Sequence, residues 1–164
     1  MNRTLIFIAL LLYTFSVMGQ NSEAKDSFKP VDLQTDHLEN PLGIDNPNPR
    51  LSWRMEDKSE GAKQKAYRML VCTDSLHIAN LDHLLQNLGN EGSGLKTVGK
   101  NESKMEDYLW DTGRVDSDKR LVTYAGSKLN PFTKYYWRVI LWNERGQASS
   151  SDVHAFETGM MYIA

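Results

Sequence analysis

Residues Gly94-Leu95-Lys96-Thr97-Val98-Gly99-Lys100-Asn101 come within one position of a phosphate-binding loop, whose backbone amides cradle an anion between a strand and a helix N-terminus. Asn101 stands where that loop needs Ser or Thr. A polar, glycine-rich stretch precedes the segment and no apolar helical pattern follows it, so no nucleotide cofactor is expected. The four histidines, His37, His77, His83 and His154, are equally unpromising. His77 and His83 are six apart, which puts them on different faces of a helix and gives no preformed zinc pair. A nucleophilic serine would need Gly-x-Ser-x-Gly, which neither Glu91-Gly92-Ser93-Gly94 nor Ala125-Gly126-Ser127 supplies. The carboxylates Glu56, Asp57, Glu106, Asp107, Asp111, Asp116 and Asp118 fall at strand ends or in turns, where such groups hydrogen-bond the backbone. Glycoside hydrolysis needs two carboxyls with separated pKa values facing a cleft, and nothing here supplies the cleft. The lone Cys72 sits inside Tyr67-Arg68-Met69-Leu70-Val71-Cys72-Thr73 and reads as a buried, inert thiol. Asn101-Glu102-Ser103 fits the N-glycosylation triplet but lies in a glycine-rich loop where it is as often chance. No catalytic, cofactor-binding or metal-binding residue is expected on the chain.

Composition narrows the class further. The 164 residues begin with Arg3, the apolar run Leu5–Leu12 and the small-residue end Ser16-Val17-Met18-Gly19, the pattern of a secretory signal peptide over 1–19. The apolar run is short of the roughly 20 residues a spanning helix needs, so no membrane span is expected. Loss of Arg3 would take the net charge from −2 to about −3, without the basic stripe that nucleic-acid binding requires. One cysteine excludes a disulfide framework and a thiolate metal cluster. Roughly 145 residues then remain, enough for a single domain.

The elements that would position any site are strands. Residues 20–29 are polar and aperiodic, a tether, and the fold is expected over 30–160. Apolar residues alternate with period two at Val31 and Leu33, at Leu51, Trp53 and Met55, at Tyr67, Met69 and Val71, and from Leu109 to Val115. The strongest run is Leu129-x-Pro131-x-Thr133-x-Tyr135-x-Trp137-x-Val139-x-Leu141-x-Asn143, and a last one covers 153–158 after a Ser149-Ser150-Ser151-Asp152 hinge. The prolines and glycine of 40–49 forbid helix and inner strand, leaving an extended connector. About seven short strands with turn signals and no crossover helices predict an all-β antiparallel two-sheet sandwich. Its core should hold Trp53, Tyr67, Met69, Val71, Tyr135, Trp137, Val139 and Leu141. An insertion over about 75–107 breaks the rhythm: Asp74-Ser75 caps a short helix reaching Leu88, and 86–107 are too polar to bury surface and are expected to be mobile.

The run from Leu129 to Asn143 and Gly146, with Leu51-Ser52-Trp53 upstream and Phe156-x-Thr158 at the end, resembles a fibronectin type III, immunoglobulin-like domain. Trp53, Tyr135 and Trp137 would be its fold-defining residues, with Tyr135 as the tyrosine corner bonded to backbone near Leu129 or Asn130. More narrowly, Asn40-Pro41-Leu42-Gly43-Ile44-Asp45, Pro49-Arg50-Leu51-Ser52-Trp53, Ala66-Tyr67-Arg68, Leu109-Trp110-Asp111-Thr112-Gly113-Arg114-Val115 and Tyr135-Tyr136-Trp137-Arg138-Val139, in that order, are similar to the N-terminal domain of bacterial alpha-L-rhamnosidases. The resemblance covers roughly 31–160. It implies further sandwich domains and a helical catalytic barrel that this chain would lack, with 161–164 as a truncated C-terminal end and no catalytic residue to carry over.

The resemblance implies an exported, non-catalytic accessory or scaffold domain of a glycoside hydrolase that degrades rhamnose-containing polysaccharides or glycosides, in the bacterial periplasm or outside the cell. The alternative is a carbohydrate-binding module that stacks sugars on exposed Trp110 or Trp142. One further expectation concerns the face opposite the core on the longest strand, Lys134, Tyr136, Arg138, Ile140 and Trp142. Tyr136, Arg138, Ile140 and Trp142 form a candidate docking surface for the missing sandwich and barrel domains, unless the connector at 36–49 or the helix from 75 covers that face.

Overall fold

The computed structural model describes residues 28–80 and 108–161. The leader segment, most of the tether, the phosphate-loop-like segment, the glycosylation triplet and the greater part of the insertion therefore lie outside the described residues. Strand β1 (Lys29–Thr35), β2 (Arg50–Glu56) and β6 (Leu121–Thr123) make a three-stranded sheet with β2 in the middle. The second sheet is built on β3 (Gln64–Cys72) and β7 (Lys134–Asn143). The short strands β4 (Trp110–Asp111) and β5 (Val115–Asp116) line the outer side of β3, while β8 (Ala148–Ser150) and β9 (His154–Glu157) line the outer side of β7. All these pairings are antiparallel, giving the expected all-β sandwich.

Register explains which residues fill it. Across β3 and β7, Tyr67 lies opposite Leu141, Met69 opposite Val139, and Val71 opposite Trp137. These six, with Trp53 and Tyr135, join one buried cluster, completed by Leu33, Leu51, Tyr124, Leu129 and Phe156. The Trp53 indole N–H donates to Gln64 Oε1 at 3.0 Å, and the Gln64 amide donates onward to the carbonyls of Ser117 and Lys119. A buried polar group is thereby satisfied from end to end. Tyr135 is fully buried, its hydroxyl oxygen accepts the Asn130 amide at 2.7 Å, and its ring stacks on Phe156 at 5.3 Å. The tyrosine corner is present as expected.

Several elements differ from the sequence reading. The described residues hold nine strands, because Leu109–Val115 is broken at Gly113 (φ 60°) into β4 and β5, and because β6 is too short to show a period. The serine-rich hinge is partly a strand, β8, paired to β7 through Ile140–Ser150, Leu141–Ser149 and Trp142–Ala148. Residues 129–133 are a corner and β7 starts only at Lys134. Helix α1 covers Ser75–Ala79 with Asn80 at its C-terminal cap, and the positions from 81 to Leu88 lie outside the described residues. Asp74 caps it by accepting the amides of Leu76 and His77, and Ile78, not Leu76, is its buried residue. The connector is not extended throughout: Asp36, His37 and Asn40 have positive φ and Asn46 donates to Asp36 at 2.9 Å, so it folds back.

A second apolar cluster lies on the opposite face of the central strands. Ala66, Leu70, Cys72, Ile78, Ile140 and Trp142 are buried on the other face of the β3–β7 pair, with Tyr108, Tyr136, Ala148 and Val153 packed against them. The central strands are therefore covered on both faces.

Candidate functional site

The face of β7 read as a docking surface is closed by the domain itself. Ile140 is 1% and Trp142 2% exposed, and both lie in the second cluster with Ile78 of α1. Arg138 is buried too, and its guanidinium is committed inside the domain. Nε donates to the Ser151 carbonyl at 2.9 Å, Nη2 to Ser150 Oγ at 2.6 Å, and Nη1 to the carbonyls of Ile78 and Ala79 at 3.2 and 3.3 Å. Arg138 thus satisfies the C-terminal carbonyls of α1 and fixes the helix over the strand. Only Tyr136 keeps partial exposure, with Lys134 Nζ 5.6 Å from its ring centre. The physical reason for the correction is that α1 folds over this face, as the competing expectation held. Of the two sugar-stacking candidates, Trp142 is buried beside the Arg114 guanidinium, 5.0 Å from the ring centre, whereas Trp110 is half-buried and packs edge-on against Tyr124 at 5.1 Å.

Several of the remaining chemically suggestive residues have structural partners, while Glu106 and Asp107 lie outside the described residues. Arg68 forks onto Asp111 at 2.8 and 2.6 Å, and Asp111 also accepts the Gly113 amide, so this carboxylate organises the β4–β5 break. Thr112 Oγ1 accepts the Met69 amide and donates to the Gly113 carbonyl. Asp57 accepts the Ser59 amide in a turn, and Asp116 lies 3.4 Å from Arg114 Nε. Cys72 is fully buried, with its Sγ 3.1 Å from the Asp74 carbonyl, and burial pushes its thiol up, away from the reactive thiolate. The His77 ring packs on Tyr108 at 4.7 Å, whereas His83 lies outside the described residues. A groove beside β8 contains Glu56 and Asp152, but the hydrogen bond from Lys29 holds Asp152 below the usual carboxylate range, the opposite of a general acid. Among the described residues no group of three His, Cys, Asp or Glu could hold a metal ion, and no helix is long and apolar enough to cross a membrane.

What the sequence singled out without a role acquires one at the C-terminal end. Asn40 Oδ1 accepts the Ala155 amide at 2.8 Å, the Pro41 carbonyl accepts Glu157, Ile44 bridges Thr158 in parallel, and Asp45 Oδ1 accepts the Met161 amide at 2.9 Å. Both ends of Asn40-Pro41-Leu42-Gly43-Ile44-Asp45, the pairs Asn40-Pro41 and Ile44-Asp45, clip the segment 155–161. Gly159 is required there, since a Cβ would lie 2.6 Å from Asp45 Oδ1 and 2.9 Å from the Gly43 carbonyl. From the other side the Phe132 amide donates to the Gly159 carbonyl at 3.0 Å, and Thr158 Oγ1 donates to the Asn130 carbonyl at 2.6 Å. The arrangement has no acid–base capacity; it fixes the direction in which the chain leaves the sandwich. Leu42, Phe132 and Met160 are exposed around this exit, and the sequence reading did not single them out as surface. A signal was present, since each stands beside a Pro or Gly, residues that punctuate turns and loops where polar side chains are the rule.

The family model described as "Rha78A-like, N-terminal immunoglobulin domain" matches residues 30–162. The alpha-L-rhamnosidase of Streptomyces avermitilis is 32% identical over 128 residues, 77% of this chain but 10% of that protein. Among solved structures, alpha-L-rhamnosidase from Dictyoglumus thermophilum superposes with a TM-score of 0.61 at 32% identity, covering 80% of this chain and 12% of that one. The Streptomyces avermitilis enzyme complexed with L-rhamnose superposes with a TM-score of 0.63 at 31% identity, covering 82% and 11%. The chain spans 10% of the first of these curated relatives and 15% of two others, and the match falls on the N-terminal domain and not on the catalytic region.

Proposed function

Because the chain belongs to the family of the Rha78A-like N-terminal immunoglobulin domain, we propose that it is the non-catalytic accessory domain of an exported alpha-L-rhamnosidase-like glycoside hydrolase, supporting the domains beside it. The observation that carries this reading is the span of the match: the family covers 30–162, nearly everything described, while the relatives are many times longer. Export to the periplasm or the medium is supported by the leader-like residues 1–19, and rhamnose-containing polysaccharides or glycosides are the substrates the relatives' activity suggests for the whole enzyme. The internal commitments of Arg68, Asp111, Arg138 and Trp142 favour a scaffold over a sugar-binding module.

The test is to purify the chain, assay it with p-nitrophenyl alpha-L-rhamnoside, and titrate it calorimetrically with rhamnose-containing oligosaccharides. Silence in both is expected. Turnover would overturn the non-catalytic reading, and saturable heat without turnover would replace the scaffold by a binding module.

A further inference from the structure

We propose that Leu42, Phe132 and Met160 form the seat on which the domain that follows this one in the longer rhamnosidases docks; the proposal rests on the accessory-domain reading and names its surface. The three side chains are 76%, 66% and 58% exposed. Single exposed apolar residues are ordinary, but these three share one place in the fold. Phe132 donates its amide to the Gly159 carbonyl, Gly159 donates to the Ile44 carbonyl at 2.8 Å, and Gly159 lies against Gly43. Leu42 and Met160 are the immediate neighbours of those two glycines, so all three residues surround one junction.

The backbone there is unusual as well. Asn40, Phe132 and Met161 have φ of 46°, 48° and 47°, in the left-handed region that residues with a Cβ avoid, and Gly43 has 71°. At Phe132 this conformation serves the backbone bond to Gly159 and leaves a large ring mostly in solvent. Backbone held in the left-handed region at residues with a Cβ clusters at contact and switch sites.

The occupant follows from where the junction lies. In the relatives the matched segment is an N-terminal domain making up 10–15% of the length, so their polypeptide continues from the position of Met161, beside the patch. A domain tethered at that point meets the patch at millimolar effective concentration and needs little contact area. Three side chains fall well short of the roughly 800 Å² per partner that free association requires, which argues against a second copy as the occupant.

The experiment places the full chain, residues 1–164, in front of the Streptomyces avermitilis rhamnosidase in exchange for that enzyme's matching N-terminal segment. Calorimetry of the fusion is compared with that of Leu42→Ser/Phe132→Ser/Met160→Ser and of Phe132→Asn. Asn tolerates positive φ, so Phe132→Asn should leave the Tm of the chain by itself unchanged or raised, which guards against a merely unfolded variant. We expect the unsubstituted fusion to unfold in one transition, and both variants to release the sandwich as a separate transition and to be cut by protease near Met161 at least tenfold faster. One transition in all three fusions, or two in all three, would overturn the seat. So would self-association of the chain by itself in sedimentation velocity that the triple substitution abolishes, since the occupant would then be a second copy. The accessory-domain reading fails separately, if the rhamnosidase lacking any N-terminal segment matches the intact enzyme in activity and Tm.

Discussion

Arg68 reaches diagonally across the β3–β4 pair to Asp111, which lies opposite Leu70, with both guanidinium–carboxylate hydrogen bonds formed, at 2.8 and 2.6 Å, and with side chains only 16% and 9% exposed. The bond from Asp111 raises the Arg68 pKa above its ordinary value, so the guanidinium stays charged. Removing one partner leaves the other shielded and uncompensated, which costs more than the pair itself contributes. Arg68→Met and Asp111→Leu should each destabilise the domain by roughly 2–4 kcal/mol, while Arg68→Met/Asp111→Leu should lose clearly less. Urea denaturation of the two single variants, the double variant and the parent provides the cycle.

The Tyr135 hydroxyl accepts one backbone bond at the corner before β7. Tyr135→Phe should therefore cost on the order of 1 kcal/mol. Trp137, fully buried in the main cluster, is a different case, because truncation opens a cavity between the sheets. Trp137→Ala should cost roughly 3–5 kcal/mol, visible as a large shift in the denaturation midpoint.

Burial holds the His154 imidazole below its ordinary value of 6.5, against opposing pulls from Glu39 and Asp152. Its Nδ1 is buried without a partner and the ring stands edge-on to Trp137 at 6.3 Å. A depressed folded-state pKa means that the unfolded chain takes up the proton first. Stability should be constant above about pH 7 and decline as pH falls through 6.5 toward the folded value. The Tm of His154→Gln should be flat over that window, and the His154 ring signals in NMR should titrate below 6.5.

At the exit, Gly159→Ala would drive a methyl into Asp45 and the Gly43 carbonyl. A loss of about 1–3 kcal/mol is expected from the forced shift. Faster amide exchange should appear at Gly159 and Met161, whose bonds to Ile44 and Asp45 hold the segment. Asp45→Ala should affect Met161 alone.

How far the fold could be read follows from what a period of two can report. It placed Tyr135, Trp137, Val139 and Leu141 in the core because one face of β7 packs against the other sheet. It left the alternate face open between a partner and a cover from the chain itself, because the cover comes from Ile78 and Tyr108, far away in the sequence. Arg138 looked like an interface residue because carbonyl acceptors leave no trace in side-chain types. Strands of two or three residues, β4, β5, β6 and β8, are too short to show alternation. The motif residues were legible as a family likeness before their physics was: Arg68 and Asp111 turn out to be each other's partner, and the connector motif a set of bonds to 155–161.

Those bonds also set a clock on synthesis. Asn40 and Asp45 find their partners 115 and 116 residues later in the chain, at Ala155 and Met161. At a ribosomal rate of about 5–20 residues per second, the connector's acceptors wait roughly 6–23 seconds before the amides that donate to them are made. During that interval β9 is also missing from the outer side of β7, so the larger sheet has an open flank and the sandwich cannot close. Completion comes only as the exit segment emerges. In a longer enzyme this domain would therefore reach its final form at the moment the next one begins to appear.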